Sequence, residues 1–160
     1  MREGTRDDWE PALALAWKVF NEFDAVDYTP EGKENFRRFL GDGSLDRMFR
    51  VGSYRLFTAL LYGNVIGMLT LREGTHISLL FVDGNCHRNG VGSELVRLAA
   101  RTIGREKIGG QLTVNASPYA IPFYERLGFT ATGSETEQDG IRFTPMKLRL
   151  SVTEEYGKIF

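Results

Sequence analysis

Apolar residues recur at helical spacing near the start of the chain: Trp9, Leu13, Ala16, Trp17, Phe20 and Phe23 share one 3.6-residue face. The pattern predicts a first helix, with Pro11 in its first turn and Asp7 or Asp8 as its cap. A second helix is expected from Thr29-Pro30-Glu31, a capping residue followed by proline at the first helical position. Phe36, Phe39 and Leu40 would face inward, and Gly41-Asp42-Gly43 ends it. The period then changes. Tyr54 to Tyr62 and Val65 to Leu71 are rich in strand formers and flank Gly63-Asn64, which predicts a hairpin. His76 to Val82, HISLLFV, is almost continuously apolar, as in a central strand covered on both faces.

A helix from Gly90 to about Lys107 follows, with Val91, Leu95, Leu98, Ala99 and Thr102 on one side and Glu94, Arg97, Arg101 and Arg105 on the other. Gly109-Gly110 closes it. Gln111 to Ser117 is a further strand, and SPYAIPFYERLGF a short helix stopped by Gly128. Two last strands, near Phe129 to Ser134 and Ile141 to Leu150, are joined by the polar tip ETEQDG. The predicted order is α-α-β-β-β-α-β-α-β-β, with room for a clipped strand in the first few residues. That is an α/β chain of the α+β kind, a mixed sheet with helices on both sides.

Composition narrows the class. At 160 residues the chain suits one domain, assigned to residues 1–150, with 151–160 as a tail. The tail SVTEEYGKIF has three readings: an extension of the sheet, a contact with a second copy in a homodimer, or loose chain. Twenty basic against 21 acidic residues give no support for a nucleic-acid or membrane-surface partner. No leader-like segment opens the chain and no apolar run reaches membrane-spanning length. The single cysteine, Cys86, allows no intrachain disulfide and favours a reducing, cytoplasmic setting. Two histidines and one cysteine are too few for a zinc site, so no metal is expected.

The chemistry gathers at HRNGVGSEL, residues 87–95. A strand, a glycine turn and a helix make a seat for an anion, because the first helical turn leaves N–H groups unpaired at the positive end of the dipole. Arg88 adds a guanidinium suited to phosphate oxygens. Leu95 stands where a dinucleotide fingerprint needs its third glycine, and the Gly-Lys-Ser/Thr of a nucleotide P-loop is absent. By itself the turn is equally consistent with a tight strand-to-helix connection that binds nothing.

His87 to Gly92 resembles the Q/R-x-x-G-x-G/A signature of the GNAT superfamily of N-acetyltransferases, with His87 departing from the usual Gln or Arg. VNASPYAIPFYERLGF, Val114 to Phe129, resembles the family's other recurrent segment, in which an Asn ends a strand and a helix carries a Tyr shortly before Gly-Phe. The resemblance covers most of residues 54–150. It implies a mostly antiparallel twisted sheet of six to seven strands with a central splay, flanked by about four helices.

It also implies acetyl-CoA as co-substrate. Amides around His87, Arg88, Asn89, Gly90, Val91, Gly92 and Ser93 would hold its diphosphate. Main chain near Leu80, Phe81 and Val82 would bind the pantetheine arm like an added strand. Asn115 would take a polar group of that arm, and Phe123 and Arg126 would flank the coenzyme. Tyr124 matches the family's general acid for the leaving thiolate, and an N–H near Val82 would face the oxyanion. The base position falls on His76, with Glu73 or water as alternatives.

The activity so implied is acetyl transfer to a primary amine of a small molecule or of a peptide or protein. A non-catalytic coenzyme-A sensor of the same fold is the alternative. Cys86 is read as incidental to the phosphate loop.

Overall fold

A computed structural model of the chain describes residues 1–106 and 110–150. The expected helix end at Lys107 and Gly109, and the tail 151–160, lie outside the described residues. In chain order the elements are β1 (Arg2–Glu3), α1 (Arg6–Val19), α2 (Pro30–Gly41), α3 (Ser44–Arg50), β2 (Tyr54–Leu61), β3 (Asn64–Arg72) and β4 (His76–Val82). Then come α4 (Val91–Glu106), β5 (Gln111–Ala116), α5 (Ile121–Arg126), β6 (Thr130–Ala131), β7 (Thr136–Gln138) and β8 (Ile141–Arg149).

The strands form one mixed sheet in the order β1-β2-β3-β4-β5-β8-β6, with β7 paired to β8. Every pairing is antiparallel except β4 with β5. A core of Phe57, Leu69, Leu95, Ala99, Ile103 and their neighbours lies under α4 and α5. A second core, built around Trp9, Phe20, Phe36, Leu56 and Met68, lies under α1, α2 and α3. Gly67 on β3 lets α4 approach closely, since a Cβ there would meet Val91 Cγ1 at 2.9 Å and Leu95 Cδ1 at 3.1 Å.

The expected elements appear, with local corrections. Helix α1 starts earlier than its apolar pattern, so Pro11 sits in its interior rather than its first turn. Its capping residue is Thr5, not Asp7 or Asp8: the Thr5 N–H and hydroxyl donate to the Asp8 carboxylate at 2.8 and 3.2 Å. Helix α2 begins as expected, Thr29 Oγ1 accepting from the Gly32 N–H at 3.0 Å. The β2–β3 turn is Tyr62-Gly63 rather than Gly63-Asn64, both residues having positive φ as a type I′ turn requires. Helix α3 was not expected, because its seven residues are too few for the period to show.

Two irregularities shape the middle of the molecule. Beyond α1 the chain winds through a π-helical turn, Phe20–Asp24, in which the Ala25 N–H donates to the Phe20 carbonyl. In β4, the register with β3 slips between Thr70/Leu79 and Leu71/Ile77, which leaves Ser78 as a bulged residue. The bulge breaks the two-residue alternation. Ile77 enters the α4 core, while Leu79, two residues on, enters the α1 core. Strand β4 pairs with β5 only at His76/Thr113 and Ile77/Val114, then parts from it.

Candidate active site

Where β4 leaves β5, the sheet opens. Phe81 pairs with Met68, and the Asp83 N–H donates to the Ile66 carbonyl at 2.8 Å, so these residues turn their backbone groups toward β3. Alternation therefore turns the groups of Leu80 and Val82 to the opposite edge, which β5 has vacated. The Val82 carbonyl confirms the direction, because it accepts from His87 Nε2 at 2.7 Å instead of from a strand.

The loop after β4 then sets the helix entrance. Asp83 Oδ1 accepts from the Asn85 N–H at 2.9 Å and caps a short 3-10 turn, Gly84–Cys86. Arg88 and Gly90 both take positive φ, 67° and 78°. A glycine at position 90 meets that backbone demand without strain. The Glu94 N–H is the first to bond back, to Gly90 O at 3.0 Å. The amides of Val91, Gly92 and Ser93 thus have no partner of their own in the helix. A Cβ on Gly92 would stand 3.3 Å from the Phe123 ring and 3.6 Å from Val82 Cγ2, so its bareness keeps the entrance narrow but open.

These parts line a single cavity of about 480 Å³. Of the residues predicted from sequence, Leu80, Phe81, Val82, His87, Arg88, Gly90, Val91, Gly92, Ser93, Phe123, Tyr124 and Arg126 line it together. Asn89 and Asn115 do not. Asn115 is an exposed residue of β5 opposite Pro145. His76 is also elsewhere, at the closed end of the β4–β5 pair, its Nδ1 2.8 Å from Thr113 Oγ1. Burial first, then the Arg72 charge, lowers its pKa, with Glu73 opposing. His76 stands four positions before Leu80 along the strand, at most roughly 13 Å away. Glu73, in the exposed β3–β4 turn, is farther still.

Tyr124 is buried in the α4 core, ring to ring with Phe123 and Phe129 at 5.0 and 5.2 Å. Burial pushes its phenol well above the ordinary tyrosine value, and the Asp24 carboxylate pushes the same way. That carboxylate is the feature the pattern of residues does not reveal. Asp24 lies four residues beyond Phe20 and closes the π-helical turn, in the cavity wall. Burial, then the Asp27 charge, raises its pKa to about 6, with His87 pulling the other way. Asp24 has no hydrogen-bond or ion-pair partner among the described residues. Beside it, burial, then Asp24 and Asp27, raises the Tyr28 phenol to about 12.

The residues fit a coenzyme with a diphosphate and an extended amide-bearing arm. Three unpaired amides and two arginines, Arg88 and Arg126, supply the anion seat. The vacated β4 edge supplies strand-like donors and acceptors, and Tyr124 lines the same space.

Comparison with known proteins gives concordant results. The acetyltransferase (GNAT) domain family matches residues 24–150. An uncharacterized N-acetyltransferase of Escherichia coli K12, YafP, is 31% identical over 101 residues, a match that spans 62% of this chain and 63% of that one, under two thirds of the relative's length. A GCN5-related N-acetyltransferase from Rhodopseudomonas palustris has a similar structure, with a TM-score of 0.79, 24% identity, and coverage of 93% of this chain and 94% of that one. So has the PaiA N-acetyltransferase of Thermoplasma acidophilum in complex with coenzyme A, with a TM-score of 0.73, 18% identity, and coverage of 92% and 96%. At these identities the structural likeness is one of fold. Among the described residues no helix is long and apolar enough to cross a membrane.

Proposed function

Since the chain belongs to the GNAT acetyltransferase family, we propose that it moves the acetyl group of acetyl-CoA directly to a primary amine. The acceptor is a small molecule or a peptide or protein amine. One observation carries this reading: the unpaired amides at the start of α4, the vacated edge of β4 and Tyr124 all line one cavity. A diphosphate seated on Val91, Gly92 and Ser93 sends the pantetheine arm along Leu80 and Val82, toward Tyr124.

Acetyl-CoA supplies an activated acyl thioester. The protein holds it, orients the carbonyl and manages protons. Leu80 gives main-chain hydrogen bonds to the arm, and the N–H of Val82, whose carbonyl is taken by His87, faces the thioester carbonyl oxygen as negative charge grows there. Tyr124 donates its phenolic proton to the departing sulfur. Its burial keeps that proton in place until a thiolate appears. His87 braces the loop rather than reaching for phosphate, its ring fixed by Val82 O and by Phe23, 4.6 Å away between ring centres.

Titration of the protein with coenzyme A, followed by acetyl-CoA consumption against a panel of amines, tests the proposal. Micromolar binding of coenzyme A and amine-dependent release of free thiol are expected. Binding without turnover for any amine would convert the reading to a coenzyme sensor. Failure to bind coenzyme A would remove it.

A further inference from the structure

We propose that Asp24 is the acceptor-side catalytic residue: it holds the ammonium of an arylalkyl or similarly apolar-bodied amine in the cavity and takes its proton. The proposal rests on the acetyl-transfer reading above and names its substrate class.

Three observations meet at this carboxylate. It lines the cavity half-buried and, among the described residues, with no hydrogen-bond or ion-pair partner, although a carboxylate drawn out of water is normally paired. The lining carries charge of both signs from different segments: Arg88 from the loop before α4 and Arg126 from α5, Asp24 from the turn after α1, beside Asp27. An anionic donor and a cationic acceptor would thus each meet the opposite sign. The surroundings of Asp24 are aromatic. Phe23 and Phe81 share the cavity wall, and Tyr28 lies within electrostatic reach of the carboxylate. Aromatic faces suit both an ammonium and an apolar body. A carboxylate raised toward neutrality by burial is also a better base than an exposed one.

The proton balance closes. The ammonium gives one proton to Asp24, and the freed lone pair forms the C–N bond to the thioester carbonyl carbon. The C–S bond breaks, sulfur leaves with its electron pair and takes the Tyr124 proton. The second nitrogen proton restores the Tyr124 phenol, and Asp24 releases its proton to solvent. The sum is ammonium plus thioester giving amide, thiol and one proton.

Phenethylamine and its uncharged analogue 2-phenylethanol serve as probes, titrated into the full chain saturated with coenzyme A. The parent protein is expected to bind phenethylammonium at least tenfold more tightly than the alcohol. That preference should be lost in Asp24→Asn, while both proteins bind coenzyme A equally. In the parent alone, phenethylammonium affinity should fall as pH drops below about 6. The groups that bear on this titration are Asp27, Tyr28, His87 and Tyr124 at Asp24 itself, with Arg88 and Arg126 across the cavity. Equal binding of amine and alcohol by the parent, or amine binding by Asp24→Asn as tight as by the parent, would overturn the proposal with the donor site intact. Absence of coenzyme A binding in the parent would overturn the donor-site reading and this proposal with it. The parent pH series needs no variant, so a folding defect in Asp24→Asn leaves the test decisive.

Discussion

Asp24 and Tyr124 belong to opposite layers of the sheet, yet both line one cavity, and the Asp24 carboxylate raises the pKa of the Tyr124 phenol. The contact between layers exists because β4 and β5 separate after two paired positions. Its consequence is chemical. A phenol that is buried and faces a carboxylate resists ionisation, so Tyr124 stays protonated at neutral pH and is not a resting base.

Removal of that hydroxyl should therefore separate binding from chemistry. Tyr124→Phe keeps the ring that packs on Phe123 and Phe129. Turnover is expected to fall about 10²-fold or more, with coenzyme A affinity within a factor of about two. Steady-state thiol release and calorimetric titration of coenzyme A measure the two quantities. An unchanged rate would take Tyr124 out of the acid role.

Asp24 should burden the fold that holds it. Its folded pKa, about 6, lies above the ordinary 3.8, so folding disfavours its charged form. The penalty is absent below the ordinary value and complete above about pH 6. Two pKa units correspond to a ceiling of about 3 kcal/mol. Asp24→Asn is accordingly expected to be more stable than the parent at pH 8, with the difference shrinking as pH falls from 6 to 4. Denaturant melts across that range check the sign. A variant less stable than the parent at pH 8 would contradict the burial of this charge.

The entrance to α4 should tolerate no side chain. In Gly92→Val the new atoms press on the Phe123 ring, already 3.3 Å from an added Cβ, and project into the seat between the amides. Coenzyme A affinity is expected to drop tenfold or more, equivalent to about 1.4 kcal/mol, with a modest fall in melting temperature. Affinity equal to that of the parent would mean that the diphosphate sits elsewhere.

Asp8 offers a control remote from the cavity. Hydrogen bonding to Arg2, first, and to the Thr5 backbone holds its carboxyl below the ordinary carboxylate range. Its stabilisation is therefore present above about pH 3.8 and lost as pH falls through the lower folded value. Asp8→Asn should cost about 1 kcal/mol near neutrality through the weakened cap, the half-exposed Arg2 adding little. The gap should narrow as pH falls below about 3.8, as thermal melts of both proteins would show. Coenzyme A affinity should not move.

Much of this was written in local pattern. Helix α2 starts where Thr29-Pro30 says it must, because a cap and an N1 proline act within one turn. Strand β4 is apolar on both sides because α1 and α4 cover both faces. Most of the cavity lining lies in two contiguous segments, 80–93 and 119–126, whose glycines and aromatic residues are visible as motifs. His76 comes from counting back along the chain and Asn115 from the family's strand-ending Asn, and neither lines the cavity. A place in the chain does not fix which end of a pair stays closed or which face a side chain takes.

Sequence alone determined every helix but α3, the succession of the long strands and the glycine-lined entrance of α4, since each depends on neighbours a few residues away. Tertiary structure alone decided where the sheet parts and what meets in the gap. The Ser78 bulge and the π-helical turn at Phe20–Asp24 are changes of one residue in register, with no residue type that demands them. Each changes the face that the following residues take, so each depends on what the two layers pack against rather than on near neighbours. Asp24 closes the π-helical turn and lines the wall that Tyr124 shares.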